Sequence, residues 1–461
     1  MSRSNSLLFS ALLCAATQAC VLAPRGLDAE RDRLDESGRD FHEPFEERTL
    51  PELPPEPTWS DVLERAFLAN GELEAAWFEW AAALERVTIA AGWPNTNLAP
   101  SFSYLLSGGG MKAWDRTTVS IGFDAMQNLS LPNKVRKAGE VAFADAAAAG
   151  RRFAQAKFRL QRAVLERFLD LCLIEEEVRI ARELLVVAKL SSDTATGRVQ
   201  AGGGGRELLR AQVESARIED EVARLEARAR AQRTVLNGML ARAAEAPLAI
   251  APALPTPRPL AVDDAALIAA GVDENPELQA LAFEVEGRAD ALELARLQYL
   301  PDFNPFFSFT GSVEQAVGVG VMLPTTLPQI RAGVEAARAM LREAQAMSRQ
   351  AQYDRRASYV AALVALRDSE RQAAWFETTV LPAAEQALAS TRPAFAAGSA
   401  TLVELLDAQS SLLDVRRTLA MARIEREKRL AEIEELAGLD LETLSASTPG
   451  DFAHRSTDSH E

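Results

Sequence analysis

The longest hydrophobic pattern in the chain has the period of a helix. Residues 134–200 contain no proline, and their apolar side chains recur in steps of three and four. These positions are Phe153, Ala156, Leu160, Val164, Phe168, Leu171, Ile174, Val178, Ala181, Leu185 and Ala188. Such spacing places them on one face and is typical of a coiled-coil seam. A helix of this length could reach about 100 Å.

A turn rich in small residues follows this helix, and the chain nearly repeats it. Residues 201–212 read Ala-Gly-Gly-Gly-Gly-Arg-Glu-Leu-Leu-Arg-Ala-Gln, and residues 397–409 again contain Glu-Leu-Leu-x-Ala-Gln, 197 residues later. We interpret each stretch as the tip of a helical hairpin. Return helices are predicted over about 206–241 and 401–437. The recurrence indicates an internal duplication.

The duplication extends towards the N-terminal side of both hairpins. Asn70-Gly71-Glu72-Leu73 returns as Asn275-Pro276-Glu277-Leu278, and a helix of about twenty residues follows each copy. Thr58 or Ser60 is predicted to cap the first helical stretch, which runs to about Gly92. The second long helix is predicted over about 330–392, bent or broken at Pro382.

Between the short and long helices of each half the pattern changes to period 2. The first half alternates Phe102 and Tyr104, then Val119, Ile121 and Phe123, with small or polar residues. The second half does so with Phe307, Phe309, Val317, Val319 and Val321. We expect one β-hairpin in each half. The strands could face lipid on one side and water on the other, or form a small soluble sheet covered by helices.

The N-terminal residues have the pattern of an export signal. Arg3 precedes an apolar run over residues 7–16, which is too short to span a bilayer but typical of a signal peptide. Residues 1–19 are therefore assigned to the signal. Cys20 stands where bacterial lipoproteins carry their lipidated cysteine, although ordinary cleavage or an inert N-terminus would also fit. Residues 20–57 are charged, proline-rich and poor in apolar side chains, so they predict a tether.

The remaining boundaries follow from these patterns. The first structural repeat is assigned to 58–246, a proline-rich linker to 247–259, the second repeat to 260–443 and a polar, disordered tail to 444–461.

Composition and charge exclude several classes of function. A net charge of −16 argues against nucleic acid as a partner. The three histidines lie in polar terminal segments, which predicts no metal site, and no catalytic grouping or cofactor motif is present. Gly202–Gly205 lacks the Lys and Ser/Thr of a phosphate-binding loop. Cys172 lies within an apolar helical run and is predicted to be a core residue. An enzyme is therefore not expected.

The motifs of the two repeats, in the same order in both halves, resemble those of the outer-membrane efflux protein family, the TolC-like outer-membrane factors. The resemblance rests on several short motifs of the second half. They are Asn275-Pro276-Glu277-Leu278, Leu300-Pro301-Asp302, Leu323-Pro324, residues 380–385 (Val-Leu-Pro-Ala-Ala-Glu) and residues 404–409 after Gly398. It implies a homotrimer in which each subunit gives four strands to a twelve-stranded outer-membrane β-barrel. The coiled-coil hairpins would form a long periplasmic α-barrel, so the fold class is mainly α with a small membrane β-part.

The resemblance also implies roles for the hairpin tips. Glu404 and Asp407 fall where the family often places carboxylates facing a narrowed pore, and Phe395 lies beside them at this periplasmic aperture. Three copies would form acidic rings that attract cations and raise the carboxylate pKa values. A solvated helix face is the other interpretation of the two carboxylates. Gly202, Gly203 and Gly398 mark the tips expected to contact an adaptor protein.

The function implied is that of a passive exit duct. Energy would come from an inner-membrane pump through a periplasmic adaptor, in a tripartite efflux or type I secretion system. The alternative is a periplasmic coiled-coil adaptor or scaffold whose strands form a soluble sheet.

Overall fold

The structure is a computed structural model of the chain. It describes residues 22–93, 98–106, 110–123, 129–200, 205–250, 258, 264, 275–312, 314–397 and 399–439. The predicted signal peptide, Cys20, the tail 444–461 and most of the linker 247–259 lie outside these residues.

The chain divides into two compact units. Unit 1 combines Met1–Arg39, Ala75–Phe153 and Glu277–Gln352, and unit 2 combines Asp40–Glu74, Ala154–Pro276 and Tyr353–Glu461.

The N-terminal half contains five of the helices and two of the strands that we number here. In chain order they are α1 (Leu27–Ser37), α2 (Trp59–Ala69), α3 (Gly71–Ala90), β1 (Leu98–Tyr104), β2 (Thr117–Phe123), α4 (Pro132–Gln200) and α5 (Arg206–Met239).

The C-terminal half repeats this order. It contains α6 (Pro276–Leu297), β3 (Asp302–Thr310), β4 (Glu314–Met322), α7 (Leu327–Trp375), a π-helical turn (Phe376–Val380), α8 (Leu381–Ala396) and α9 (Leu402–Ala437). Among the described helices, none is both long enough and apolar enough to cross a membrane.

Local sequence signals explain several of these boundaries. Thr58 caps α2 with a capping box in which Asp61 bonds back to the Thr58 backbone. Gly438 ends α9 in the left-handed conformation that glycine adopts without strain. A π-helical turn directly precedes Leu381 and Pro382, at the point where the sequence predicts a bend or break of the second long helix.

The four strands of unit 1 form one antiparallel sheet in the order β1-β2-β3-β4. Each half supplies one hairpin, as predicted, and β2 joins the two hairpins by pairing with β3. Of the strands described, β1 and β4 are the edges of the sheet. Four strands with two open edges form a marginal sheet on their own.

Residues 22–57 differ from the predicted tether. Helix α1 buries Leu27 and Leu34, which are two helical turns apart and therefore on one face. The indole Nε1 of Trp77 in α3 donates a hydrogen bond to the Leu34 carbonyl oxygen at 3.1 Å. Farther along this stretch, in unit 2, Arg48 is paired with Glu74. Two apolar anchors suffice for α1 because it packs against α3 rather than forming a core of its own.

Unit 2 is built from long helices with the predicted coiled-coil seam inside. Phe168, Leu171 and Ile174 of α4 are buried, and so is Cys172. Burial raises the pKa of the Cys172 thiol to about 12, which confirms it as an inert core residue. A second cluster packs α7 against α9 and contains Tyr359, Ala362, Leu363, Leu366, Leu430, Ile433, Leu436 and Ala437.

Candidate functional site

The sheet of unit 1 has one apolar face and one polar face. On the apolar face Ile121 pairs with Phe307, which in turn pairs with Val317. These side chains are not covered: Val317 is 82% exposed and Ile121 is 43% exposed. Phe102, Val319 and Val321 are also exposed on this face. A solvent-accessible apolar surface of this kind needs an apolar environment or a partner.

The opposite face of the sheet carries small and hydroxyl side chains in cross-strand register. The hydroxyls of Ser101 and Ser120 are 2.6 Å apart, and those of Thr118 and Thr310 are 3.0 Å apart. Phe306 interrupts this face and lies beside Gly318, where a β-carbon would overlap the ring. The alternation predicted from the sequence is therefore present in all four strands, and it resembles the pattern of lipid-exposed barrel strands.

The tip of the second hairpin is closed by a capping box. The Thr401 hydroxyl accepts a hydrogen bond from the Glu404 backbone N–H at 3.2 Å, and the Glu404 carboxylate accepts one from the Thr401 N–H at 2.6 Å. The hydrogen bond from the Thr401 backbone N–H, with the Thr401 hydroxyl also bonded to the carboxylate, holds the pKa of Glu404 below its ordinary value of 4.5. In the single chain the shift is thus opposite to the upward one expected for an acidic ring.

The two other predicted aperture residues lie close to this cap. Phe395 is half-buried near the end of α8, and Asp407 is exposed on α9, about one turn after Glu404. Asp407 lines an open cavity of about 350 Å³. The cavity is lined by Phe376, Asp407, Ser410, Ser411, Asp414, Val415 and Thr418.

The tip of the first hairpin is described from Gly205 onwards. Arg206 and Arg210 are exposed at the start of α5. The predicted tip residues Gly202, Gly203 and Gly398 lie outside the described residues. Phe395, Glu404 and Asp407 therefore lie at one tip, that of the second hairpin. Their role at an aperture remains a prediction.

The sequence interpretation missed the contacts that join the two hairpins. Along α4 and α9, oppositely charged side chains of the two repeats form a ladder of ion pairs. The pairs are Arg162–Glu435 at 2.8 Å, Asp170–Lys428, Glu177–Arg417 at 2.8 Å and Glu183–Arg416 at 4.0 Å. Each partner looks like an ordinary solvated charge in the sequence, because the paired residues are far apart along the chain; Glu177 and Arg417, for example, are 240 positions apart.

Acidic clusters elsewhere do not form a metal site. Within the described part of the chain, no group of three or more His, Cys, Asp or Glu side chains could hold a metal ion.

Comparison with protein families finds a match within the second repeat. Residues 267–439 match the model of the family described as Outer membrane efflux protein. This match contains α6, the second β-hairpin and the complete second helical hairpin, so it includes the tip with Glu404 and Asp407. No curated protein matches the chain.

Solved structures share the fold over most of the chain. The outer-membrane channel OprN is 18% identical, with a TM-score of 0.67, over 87% of this chain and 92% of its own. The outer membrane protein VceC from Vibrio cholerae is 18% identical, with a TM-score of 0.68, over 82% and 96%. The open state of the Neisseria gonorrhoeae MtrE outer membrane channel is 18% identical, with a TM-score of 0.65, over 85% and 94%.

The described residues thus share the fold of these solved outer-membrane channels. The family match covers residues 267–439, so the likeness to outer membrane efflux proteins is found in the sequence of the second repeat. The resemblance inferred from the sequence motifs is confirmed by both comparisons.

Proposed function

We propose that three copies of this chain form an outer-membrane channel that serves as the passive exit duct of a tripartite efflux or type I secretion system. The observation that carries the proposal is the four-stranded sheet. Its edges β1 and β4 are open, and one of its faces exposes a continuous apolar surface. Joining open edges between copies would satisfy the unpaired backbone groups, and twelve strands would close into a barrel.

The polar face of the sheet supports the same arrangement. The hydroxyl side chains of Ser101, Ser120 and Thr118, together with Gly320, would face an aqueous interior, while Ile121, Phe307 and Val317 would face lipid. In this proposal Cys20 receives lipid and anchors the N-terminus at the membrane.

The helical hairpins would extend the duct towards the periplasm. Phe395, Glu404 and Asp407 would surround the periplasmic aperture, and the two tips around Gly202, Gly203 and Gly398 would contact an adaptor bound to an inner-membrane pump. The exposure of Glu404 and Asp407 at the second tip supports this role, because a pore carboxylate must reach water. Three symmetry-related copies would then place six carboxylates around the axis.

The aperture is tested by replacing its carboxylates. Glu404→Ala with Asp407→Ala should weaken the cation selectivity of the open channel and its block by divalent cations. Glu214→Ala with Glu221→Ala, on the first return helix α5, is the matched control and should leave both properties unchanged. Equal selectivity in the two double variants would remove the proposed acidic ring.

The location is tested by fractionation and native mass measurement of the purified protein. We expect a trimer extracted by detergent from the outer membrane. A soluble periplasmic protein would instead support the alternative, a coiled-coil adaptor or scaffold without a channel.

A further inference from the structure

All four strands join the helices of unit 1 at the same end of the sheet. Near this end, Nε1 of Trp93 donates a hydrogen bond to the Ser130 carbonyl oxygen at 2.9 Å. Leu129 forms an antiparallel bridge with Phe303 at the start of β3, and β3 pairs with β4 along its whole length. We call this end of the sheet the rim and include the adjacent helical turns. The rim consists of residues 89–93, 129–136, 296–302 and 322–331.

The rim is basic, although the chain as a whole is acidic. It contains four basic residues and one acidic residue, a difference of +3, against −16 for the whole chain. These residues are Lys134, Arg136, Arg296, Arg331 and Asp302. At the opposite end of the sheet, residues 105–116 and 310–314 contain two basic and two acidic residues. Positive charge is therefore concentrated at the end of the sheet from which the helices extend.

The carboxylates at and near the rim are bonded to two lysines of α4. Nζ of Lys134 lies 2.8 Å from Oδ1 of Asp302. Nearly one turn farther from the sheet, Nζ of Lys137 lies within 2.8 Å of three carboxylates. These carboxylates belong to Glu140, Asp290 and Glu293. The two lysine side chains are 6% and 20% exposed, so the cationic ends of these ion pairs are largely buried.

The arginines of the rim, in contrast, reach the solvent. Arg296 and Arg331 are exposed, and in the described part of the chain neither forms an ion pair with a carboxylate. The Arg136 side chain is also exposed and lies 3.7 Å from Glu140. Each chain thus presents two unpaired guanidinium groups and one loosely paired guanidinium group to an anionic partner.

Exposed apolar side chains of the rim continue the apolar face of the sheet. That face reaches the rim with Val321 of β4, which is exposed. Leu323 is 69% exposed two positions later, and Leu327 is exposed at the start of α7. Tyr299 and Leu300 are exposed just before β3. The apolar surface therefore extends across the rim to the first helical turn.

Two of the arginines lie one turn beyond these apolar residues, towards the helical part. Arg331 follows Leu327 by four positions in α7, so their side chains lie on one face of the helix. The Tyr299 backbone N–H donates a hydrogen bond to the Arg296 carbonyl oxygen at 3.2 Å, so their side chains are about one turn apart. Apolar residues followed by cations match the order in which a bilayer presents its acyl chains and its headgroups.

We propose that the rim binds anionic phospholipid headgroups, with the guanidinium groups of Arg296 and Arg331 on the lipid phosphates and Leu323 and Leu327 at the acyl chains. The inference rests on the proposed function, in which the helices extend from the rim into the periplasm and the rim meets the inner leaflet. A guanidinium group binds two phosphate oxygens at once. The excess of positive charge favours an anionic over a zwitterionic headgroup, because each basic residue near a membrane surface adds to the attraction.

Native mass spectrometry of the purified full-length protein measures this preference. The protein is incubated in detergent with equal amounts of phosphatidylglycerol and phosphatidylcholine, and the retained lipids are counted. We expect phosphatidylglycerol to be retained in excess. Arg296→Gln with Arg331→Gln should lower the ratio of the two lipids by about fivefold for each arginine removed.

Arg342→Gln with Arg349→Gln is the matched control. Both arginines are exposed on the face of α7 that carries Arg331, and their replacement removes the same charge. They lie about 16 Å and about 27 Å farther along the helix, beyond the reach of headgroups at the rim. The control should keep the ratio of the unmodified protein. Equal ratios in the two double variants would overturn the proposal.

Two further measurements do not depend on the glutamine variants being folded. Arg296→Lys with Arg331→Lys retains both charges and should keep most of the preference for phosphatidylglycerol. In the unmodified protein, the preference should fall several-fold from low to high salt, because salt screens exposed charges. An unmodified protein that retains both lipids equally at low salt would contradict the proposal.

The outcomes separate this inference from the proposed function. If the protein inserts as a trimer into phosphatidylcholine vesicles and conducts ions, but shows no preference for phosphatidylglycerol, the inference about the rim is wrong while the channel proposal stands. If the protein enters neither phosphatidylcholine vesicles nor vesicles that contain phosphatidylglycerol, the proposed function fails, and this inference fails with it.

Discussion

The ion pair between Glu177 and Arg417 joins the two repeats, and its strength can be measured directly. Glu177 is 5% exposed within α4. Its Oε1 accepts a hydrogen bond from Nε of Arg417 in α9 at 2.8 Å, and its Oε2 lies 4.0 Å from Nη1 of Arg228 in α5. One carboxylate thus connects three helices from both hairpins.

The expected coupling follows from burial and solvent exposure. A hydrogen bond to a charged group contributes about 1.5–3 kcal/mol. The Arg417 side chain is 42% exposed, so water screens part of this interaction. We therefore expect a coupling free energy of about 1–2 kcal/mol between Glu177 and Arg417. Arg417→Ala should destabilise more than Glu177→Ala, because it leaves a buried carboxylate with only the distant Arg228.

A double-mutant cycle with Glu177→Ala, Arg417→Ala and both together measures this coupling. The assay is hydrogen exchange of the backbone amides of residues 414–420, which reports the opening free energy of this part of α9. The exposed Glu221–Arg224 pair within α5 serves as the control, with an expected coupling of about 0.2–0.5 kcal/mol. A coupling below about 0.3 kcal/mol for Glu177 and Arg417 would refute the reasoning.

Two further predictions concern the second tip and the N-terminal segment. The pKa of Glu404 is lowered in the folded chain, so its capping contribution is present above pH 4.5 and is lost as pH falls through the lower folded value. Amide exchange in the first turn of α9, corrected for intrinsic rates, should therefore rise at acidic pH, and Glu404→Gln should abolish this pH dependence. A pH dependence unchanged in Glu404→Gln would show that another group is responsible. A β-carbon at Gly38 would overlap the indole of Trp77, so Gly38→Ala should release α1 and speed limited proteolysis within residues 22–57. Gly71→Ala, where no atom lies near the added carbon, is its control, and equal cleavage of the two variants would contradict the packing of α1.

Local signals predicted much of the architecture. The capping box at Thr58, the break at Pro382 and the stop at Gly438 each depend on a few neighbouring residues, so the helix boundaries there follow from the sequence. The alternation of apolar residues such as Ile121 and Phe307 with small residues likewise predicted the strands of both hairpins. With a period of 2, the position of a residue in its strand decides which face of the sheet it lies on. Repetition of these patterns in two halves made each interpretation more secure.

Contacts between distant segments could not be predicted in this way. Leu27 and Leu34 looked too few to fold residues 20–57, and only the position of Trp77 shows that α1 has a surface to pack on. Glu177 is one of many glutamates on the long helices, and its burial depends on Arg417, which lies 240 residues away. The pKa of Glu404 is lowered by its hydrogen bonds with Thr401. The expectation of a raised pKa considered only the neighbouring carboxylates of an acidic ring and not this cap.

The pairing order of the sheet shows the same limit. The two hairpins were predicted separately, but the link between β2 and β3 joins segments from different repeats. That link turns two marginal hairpins into one sheet with a continuous apolar face, which is the basis of the proposed channel.

Single-channel recording of the purified protein in a planar lipid bilayer tests the central claim most directly. We predict that the protein inserts as a trimer and conducts ions in discrete steps without any pump or adaptor. If the unmodified channel is closed, Thr401→Ala, which loosens the second tip, should open it. A protein that stays soluble, or that inserts as a trimer and does not conduct in either form, would contradict the account.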